Sequence, residues 1–116
     1  MDIPTEGLIL TKNGISMEFT AGTMNNGEEY RCNASNTMTI SYTDGFITKV
    51  VLNCLANGTT KYGPGCFTTT IGSYSYEEKV GTWTGEAKSV VFTSGQQVRM
   101  TTVTVYYKQD KRANSE

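Results

Sequence analysis

The chain has 116 residues, with ten lysines and arginines against eleven aspartates and glutamates and a formal charge of −1. That length suits one domain around one core. The balanced charge, with no basic cluster except Lys108, Lys111 and Arg112, argues against a nucleic-acid partner, whose phosphates need a basic face.

The opening MDIPTEGLIL has neither the basic n-region nor the long apolar h-region of a signal peptide. No stretch approaches the roughly 20 apolar residues of a membrane span. A soluble chain, not exported by that route, is the expectation. Thr, Gly and Tyr are frequent and only two prolines occur, a balance that favours strands joined by turns.

In chain order, Ile15, Met17 and Phe19 alternate with Ser16, Glu18 and Thr20 between Asn13-Gly14 and Gly22, the pattern of a half-buried strand. Cys32 and Cys54 each lie in an apolar, strand-like run, where a free thiol behaves as a small buried hydrophobe. Met38, Ile40 and Tyr42 alternate with Thr39 and Ser41, and Thr43-Asp44-Gly45 follows as a turn. The strand after it, Phe46 to Cys54, makes Thr37–Cys54 a predicted hairpin. Its apolar residues on both faces predict a central strand.

Asn57 to Gly65 is the longest loop signal, combining Gly and Pro punctuation with Tyr62. Cys66, in its Gly-flanked loop, is expected to be the most exposed of the three cysteines. Then come Phe67–Ile71, Tyr74–Tyr76, Val80–Trp83, Ser89–Thr93 and Val98–Tyr107, separated by glycines. Short strands at this spacing mark a sandwich or barrel. Val98 and Met100 have one parity and Val103, Val105 and Tyr107 the other, so a bulge near Thr101-Thr102 is expected. Residues 1–107 are read as one domain and 108–116 as a polar, frayed tail. The fold class is all-β: an antiparallel two-sheet sandwich, jelly-roll-like, with minimal helix.

Catalysis finds little to work with. The chain has no histidine, which removes Ser-His-Asp and Cys-His mechanisms. Paired carboxylates would suffice for glycoside hydrolysis, but Glu28-Glu29 and Glu77-Glu78 are adjacent, and neighbours on a strand point to opposite faces. Three cysteines without a C-x-x-C pair argue against a disulfide framework or a structural zinc. No calcium loop motif is present, and Asp44 before Gly45 reads as a turn residue. The expectation is a non-enzyme with no cofactor and no metal site.

Aromatic residues carry the recognition signal. Tyr rings offer flat apolar area with a polar rim to sugars and to protein partners. Tyr62 lies in the Gly/Pro loop, and Tyr74 and Tyr76, two apart, should project from one face. With Asn57 and Lys61 they make up the candidate binding patch, the alternative being that Tyr74 and Tyr76 pack at the core's edge. Trp83 is read as structural. Asn33-Ala34-Ser35 and Asn57-Gly58-Thr59 match the N-glycosylation pattern, an undemanding one.

Gly81-Thr82-Trp83-Thr84-Gly85, Ser89-Val90-Val91-Phe92-Thr93, Val98-Arg99-Met100 and Val103-Thr104-Val105-Tyr106-Tyr107 form an ending that resembles the "tWtG…sVxFt…vRi..ItVtY" ending of small β-sandwich modules in Bacteroidetes surface proteins and lipoproteins. Thr39-Ile40-Ser41 and Gly45 to Leu52 resemble the strand pair before it, so the resemblance runs from Ile15 to Tyr107. It implies a sandwich without intrinsic catalysis that serves attachment or faces carbohydrate. Read as given, the sequence is expected to depart from that family in lacking a signal or lipobox and in standing alone. A bacteriophage of such a host, carrying the module as virion decoration assembled in the host cytoplasm, fits those departures and the unpaired cysteines. The alternative is a secreted or lipid-anchored glycan-binding module at the bacterial surface. Expected partners are other protein subunits, through capsid contact or self-association, and surface glycans, with no nucleic acid and no membrane span.

Overall fold

Alternation of apolar and polar residues becomes strand almost throughout the computed structural model, which describes residues 6–12, 14–25 and 29–109. The elements are β1 (Glu6–Lys12), β2 (Ile15–Asn25), β3 (Glu29–Cys32), β4 (Thr37–Tyr42), β5 (Gly45–Cys54), a 3-10 turn at Pro64–Cys66, β6 (Phe67–Thr68), β7 (Ser73–Glu77), β8 (Val80–Ala87), β9 (Ser89–Ser94) and β10 (Val98–Gln109). Among the described residues no helix is long and apolar enough to cross a membrane.

The strands form two packed antiparallel sheets, the expected all-β sandwich. Neighbours run in the order β6-β9-β4-β2-β3-β10-β5-β8-β7, with β1 paired to β2. The sheets share β2. Its first half, Ile15–Phe19, pairs with β4, whereas Gly22–Asn25 pairs with β3. Gly22, read from the sequence as the end of a strand, is instead the corner where one strand passes between sheets, a place glycine often marks.

At the other side the ladder ends in β6 and β7, which are consecutive in the chain. The gap between them is filled by rings: Phe92 of β9 meets Phe67 of β6 at 5.4 Å between centroids and Tyr74 of β7 at 5.7 Å. Offset and edge-on aromatic contacts of this kind add to what area burial contributes.

Thr37–Cys54 is not a hairpin. Tyr42 and Gly45 belong to different sheets: β4 pairs with β2 and β9, while β5 pairs with β10 and β8. The Thr43-Asp44 turn therefore arches across the core, and Met38, Ile40 and Tyr42 face Ile47, Val50 and Leu52 from opposite layers, all buried. Apolar alternation in both arms satisfies a hairpin and an arch equally well, and only tertiary pairing separates them. The strand β5 is indeed central, with Val51 half-buried on the face opposite Val50 and Leu52, but Ile47 does not share that face. A register shift between Ile47 and Lys49 brings Ile47 to the same buried side as Val50, Leu52 and Cys54.

The predicted bulge in β10 is present between Met100 and Thr102. Val98 and Met100 are buried, Val103 and Val105 pack against the core as half-buried residues, and Tyr107 is exposed while its ring meets Tyr42 edge-on at 4.9 Å. Pairing continues through Lys108 with Phe46 and Gln109 with Gly45, so the strand outruns the predicted tail by two residues; the rest of that tail, 110–116, lies outside the described residues. Lys108 also meets Glu86 across the surface at 3.2 Å. Of the predicted Phe67–Ile71 strand, only Phe67 and Thr68 are paired.

All three cysteines are free and buried. Cys66 is the most exposed, as expected, at 8%. Burial pushes the Cys32 thiol up to about 11, with partial relief from a hydrogen bond to Ser94. Burial, and then the neighbouring Cys66, push Cys54 up to about 12.

Candidate functional site

The loop between β5 and the 3-10 turn is built from short backbone bonds. Gly58 N–H donates to Glu78 O at 2.8 Å, Gly65 N–H to Gly58 O at 2.7 Å, and Gly63 N–H to Thr60 O at 2.8 Å. The last of these closes a turn over Thr60–Gly63. Gly63 is there for space: its φ is −88°, open to any residue, yet a Cβ at that position would stand 2.8 Å from Asn57 O. Gly63→Ala is expected to lower stability by about 1–3 kcal/mol through overpacking against backbone. Urea denaturation checks this, and an unchanged midpoint would mean that the loop is looser than described.

Tyr62 occupies the third position of that turn at φ +81°, the left-handed setting where glycine is favoured. A bulky side chain held there carries backbone strain of about 1–3 kcal/mol, and such strain clusters at functional sites. What holds it is the segment that enters β10. Tyr62 N–H donates to Gln97 O at 2.9 Å, Arg99 N–H donates to Tyr62 O at 3.3 Å, and Tyr62 forms a parallel bridge with Val98.

The Arg99 guanidinium carbon lies 3.9 Å from the Tyr62 ring centroid, and Lys61 Nζ lies 5.3 Å from it, both within cation–π range. Arg99 Nε donates to Gln97 Oε1 at 2.8 Å, and Gln97 Nε2 donates to Asn33 Oδ1 at 2.9 Å. Asn33 is in turn tied to the interior, its backbone carbonyl 2.7 Å from the hydroxyl of Ser94, which is buried. A chain of contacts thus runs from a buried serine to a surface arginine. Lys61, Tyr62, Gln96, Gln97 and Arg99 line a groove of about 470 Å³ together with Ala34 and Gly95.

The five candidate residues separate into three places. Lys61 and Tyr62 share the groove just described. Asn57 and Tyr76 line another, of about 910 Å³, with Glu77, Glu78, Lys79 and Val80. Tyr76 is 46% exposed. Tyr74 shares its side of β7, but it is half-buried: its hydroxyl donates to Pro64 O at 2.7 Å and its ring packs on Phe92. Burial and the nearby Cys54, Cys66 and Tyr76 push its phenol above the ordinary range. Tyr74 therefore braces the loop from beneath.

Sequence reasoning gave Gln97 no role, and named Asn33 only as a glycosylation match and Arg99 only within the family-like ending. Arg99 lies in a strand between buried Val98 and Met100, which marks it as outward-facing, but nothing local to it signals Tyr62 as its neighbour. Among the described residues no group of three or more His, Cys, Asp or Glu side chains is placed to hold a metal ion. Of the carboxylates considered for paired chemistry, Glu77 and Glu78 border the larger groove, and Glu28 lies outside the described residues. Comparison with protein-family models, with curated proteins and with solved structures produced no match.

Proposed function

We propose that the chain is a non-enzymatic adhesion module, a β-sandwich that attaches to surface glycan through the loop Asn57–Gly65 and the adjoining start of β10. The observation that carries this is Tyr62. A tyrosine held at φ +81° in place of glycine, and fixed there by hydrogen bonds to the segment that enters β10, is a strained residue that the surrounding structure over-determines. It stands at the rim of a groove lined by amides and cations, groups suited to hydroxyl-rich ligands.

The favoured setting is the surface of a virion of a Bacteroidetes phage, in contact with capsid or fibre subunits. It rests on the resemblance of residues 81–107 to bacterial surface modules. A secreted or lipid-anchored bacterial module would use the same loop in the same way, and association with purified particles separates the two settings.

Tyr62→Gly is the informative variant, since glycine relieves the left-handed strain while deleting the ring. Its thermal stability should equal or exceed that of the parent, while retention on immobilised cell-surface polysaccharide should fall at least tenfold. Retention unaffected by Tyr62→Gly counts against the proposal.

A further inference from the structure

Arg99 is held as an arginine is held when its outer edge has a partner to meet. Its Nε is committed to Gln97 and its guanidinium carbon lies 3.9 Å from the Tyr62 ring centroid, which leaves the two terminal nitrogens as a fork with no hydrogen-bond partner among the described residues. Such a fork matches the geometry of a carboxylate or sulfate, which it binds through two parallel hydrogen bonds. Lys61, exposed in the turn beside it, adds a second positive charge 5.3 Å from the centroid of the same ring. Neither cation has an acidic partner in ion-pair range among the described residues; the described surface pair, Lys108 with Glu86, lies elsewhere. Two cations gathered on one tyrosine, unneutralised, in a chain of net charge −1 are a local arrangement and not a by-product of a basic protein.

We infer that the groove bordered by Lys61, Tyr62, Gln96, Gln97 and Arg99 binds an acidic polysaccharide, with a carboxylate or sulfate of one sugar on the Arg99 fork and Lys61, and neighbouring hydroxyls on the glutamine amides. This deepens the adhesion reading of the same loop and rests on it. An acidic peptide also carries the charge, but peptide recognition relies on apolar pockets for anchoring side chains, and this lining offers one alanine and one tyrosine. Planar amides and cations around an open groove suit a ligand that is hydrophilic along its length. The groove beside Tyr76, with Glu77 and Glu78 at its border, is of the wrong sign for the same ligand.

The test is native affinity electrophoresis of the full chain through gels containing polygalacturonate, dextran sulfate or uncharged dextran. The parent is expected to be retarded by at least one acidic gel and not by dextran, with the retardation shrinking as salt screens the charges. Comparison of the two acidic gels tells carboxylate from sulfate. Arg99→Lys, which keeps the charge and loses the fork, should weaken binding about tenfold, and Lys61→Ala should weaken it several-fold. Lys49→Ala, which removes a cation stacked on Tyr106 on another face, should leave binding unchanged. Trp83 fluorescence confirms that each variant is folded, and Lys61, exposed in its turn, can be lost without disturbing the core. Retardation by dextran alone overturns the acidic-ligand inference while leaving the adhesion proposal standing. Retardation in none of the gels removes both. Equal effects of Lys49→Ala and Lys61→Ala would show diffuse charge attraction and overturn the site. Retention of an acidic peptide such as polyglutamate, without retardation in the acidic polysaccharide gels, would overturn it in favour of a protein ligand.

Discussion

Replacement of Trp83 by alanine is expected to remove about 3–5 kcal/mol of stability, from a total that for a domain of this size is about 5–15 kcal/mol. Trp83 is fully buried, and its Nε1 donates to Ile71 O at 2.7 Å. The ring is covered by two glycines: a Cβ on Gly72 would stand 2.5 Å from the indole, and one on Gly85 2.8 Å from it. Glycine has no side chain with which to move into a vacated volume, so the cavity left by alanine cannot close by repacking from that side. Trp83→Phe keeps part of the ring and orphans the Ile71 carbonyl, so its expected cost is smaller, about 1–3 kcal/mol. Urea midpoints measure both. A Trp83→Ala cost under about 1 kcal/mol would contradict the packing described.

The second large effect is alkaline. Folding raises the thiol pKa of Cys32 from 9.0 to about 11 and that of Cys54 from 9.0 to about 12. In each case burial is the main cause, because it penalises the thiolate. The unfolded chain therefore binds fewer protons than the folded one between those values. Stability is unaffected below pH 9 and declines as pH climbs toward the folded-state values. Near pH 10.5 each thiol is expected to contribute a loss on the order of 1–2 kcal/mol. Tyr74, whose phenol is also raised by burial, adds to the decline above its ordinary range. Denaturation midpoints measured from pH 8 to 10.5 should fall steadily, and the double variant Cys32→Ala, Cys54→Ala should show a shallower slope. A parent curve that stays flat over that range would mean the thiols are not sequestered.

Period-two alternation is a local property, and the features that depend on it were legible: the strand class, the burial of Met38, Ile40, Phe92 and Val98, and the bulge after Met100, which the parity switch in β10 requires. Strand β1 went unread although Asn13-Gly14, a hairpin signature, stands between it and β2. That pair reads as a strand boundary, and the opening MDIPTEGLIL is weighed only against the pattern of a signal peptide, which it lacks. The arch at Thr43-Asp44 and the corner at Gly22 were beyond sequence reading, because pairing partners are settled by which layers meet across the core. For the site, the loop and Tyr62 stood out through composition, whereas Arg99 came to Tyr62 only through a parallel bridge between distant segments. Tyr74 and Tyr76 share parity, as expected, and still differ in setting, since Pro64 and Phe92 lie over one of them and not the other.

The shared strand β2 and the ring-filled gap between β6 and β7 make the two sheets one rolled ladder with a single seam. On the β2 side, separating the layers means breaking a continuous strand. On the other side it means parting Phe67, Phe92 and Tyr74. Tyr74 reaches from that seam to Pro64, beneath the loop that carries Tyr62, so the closure of the seam and the seating of that loop share one hydrogen bond.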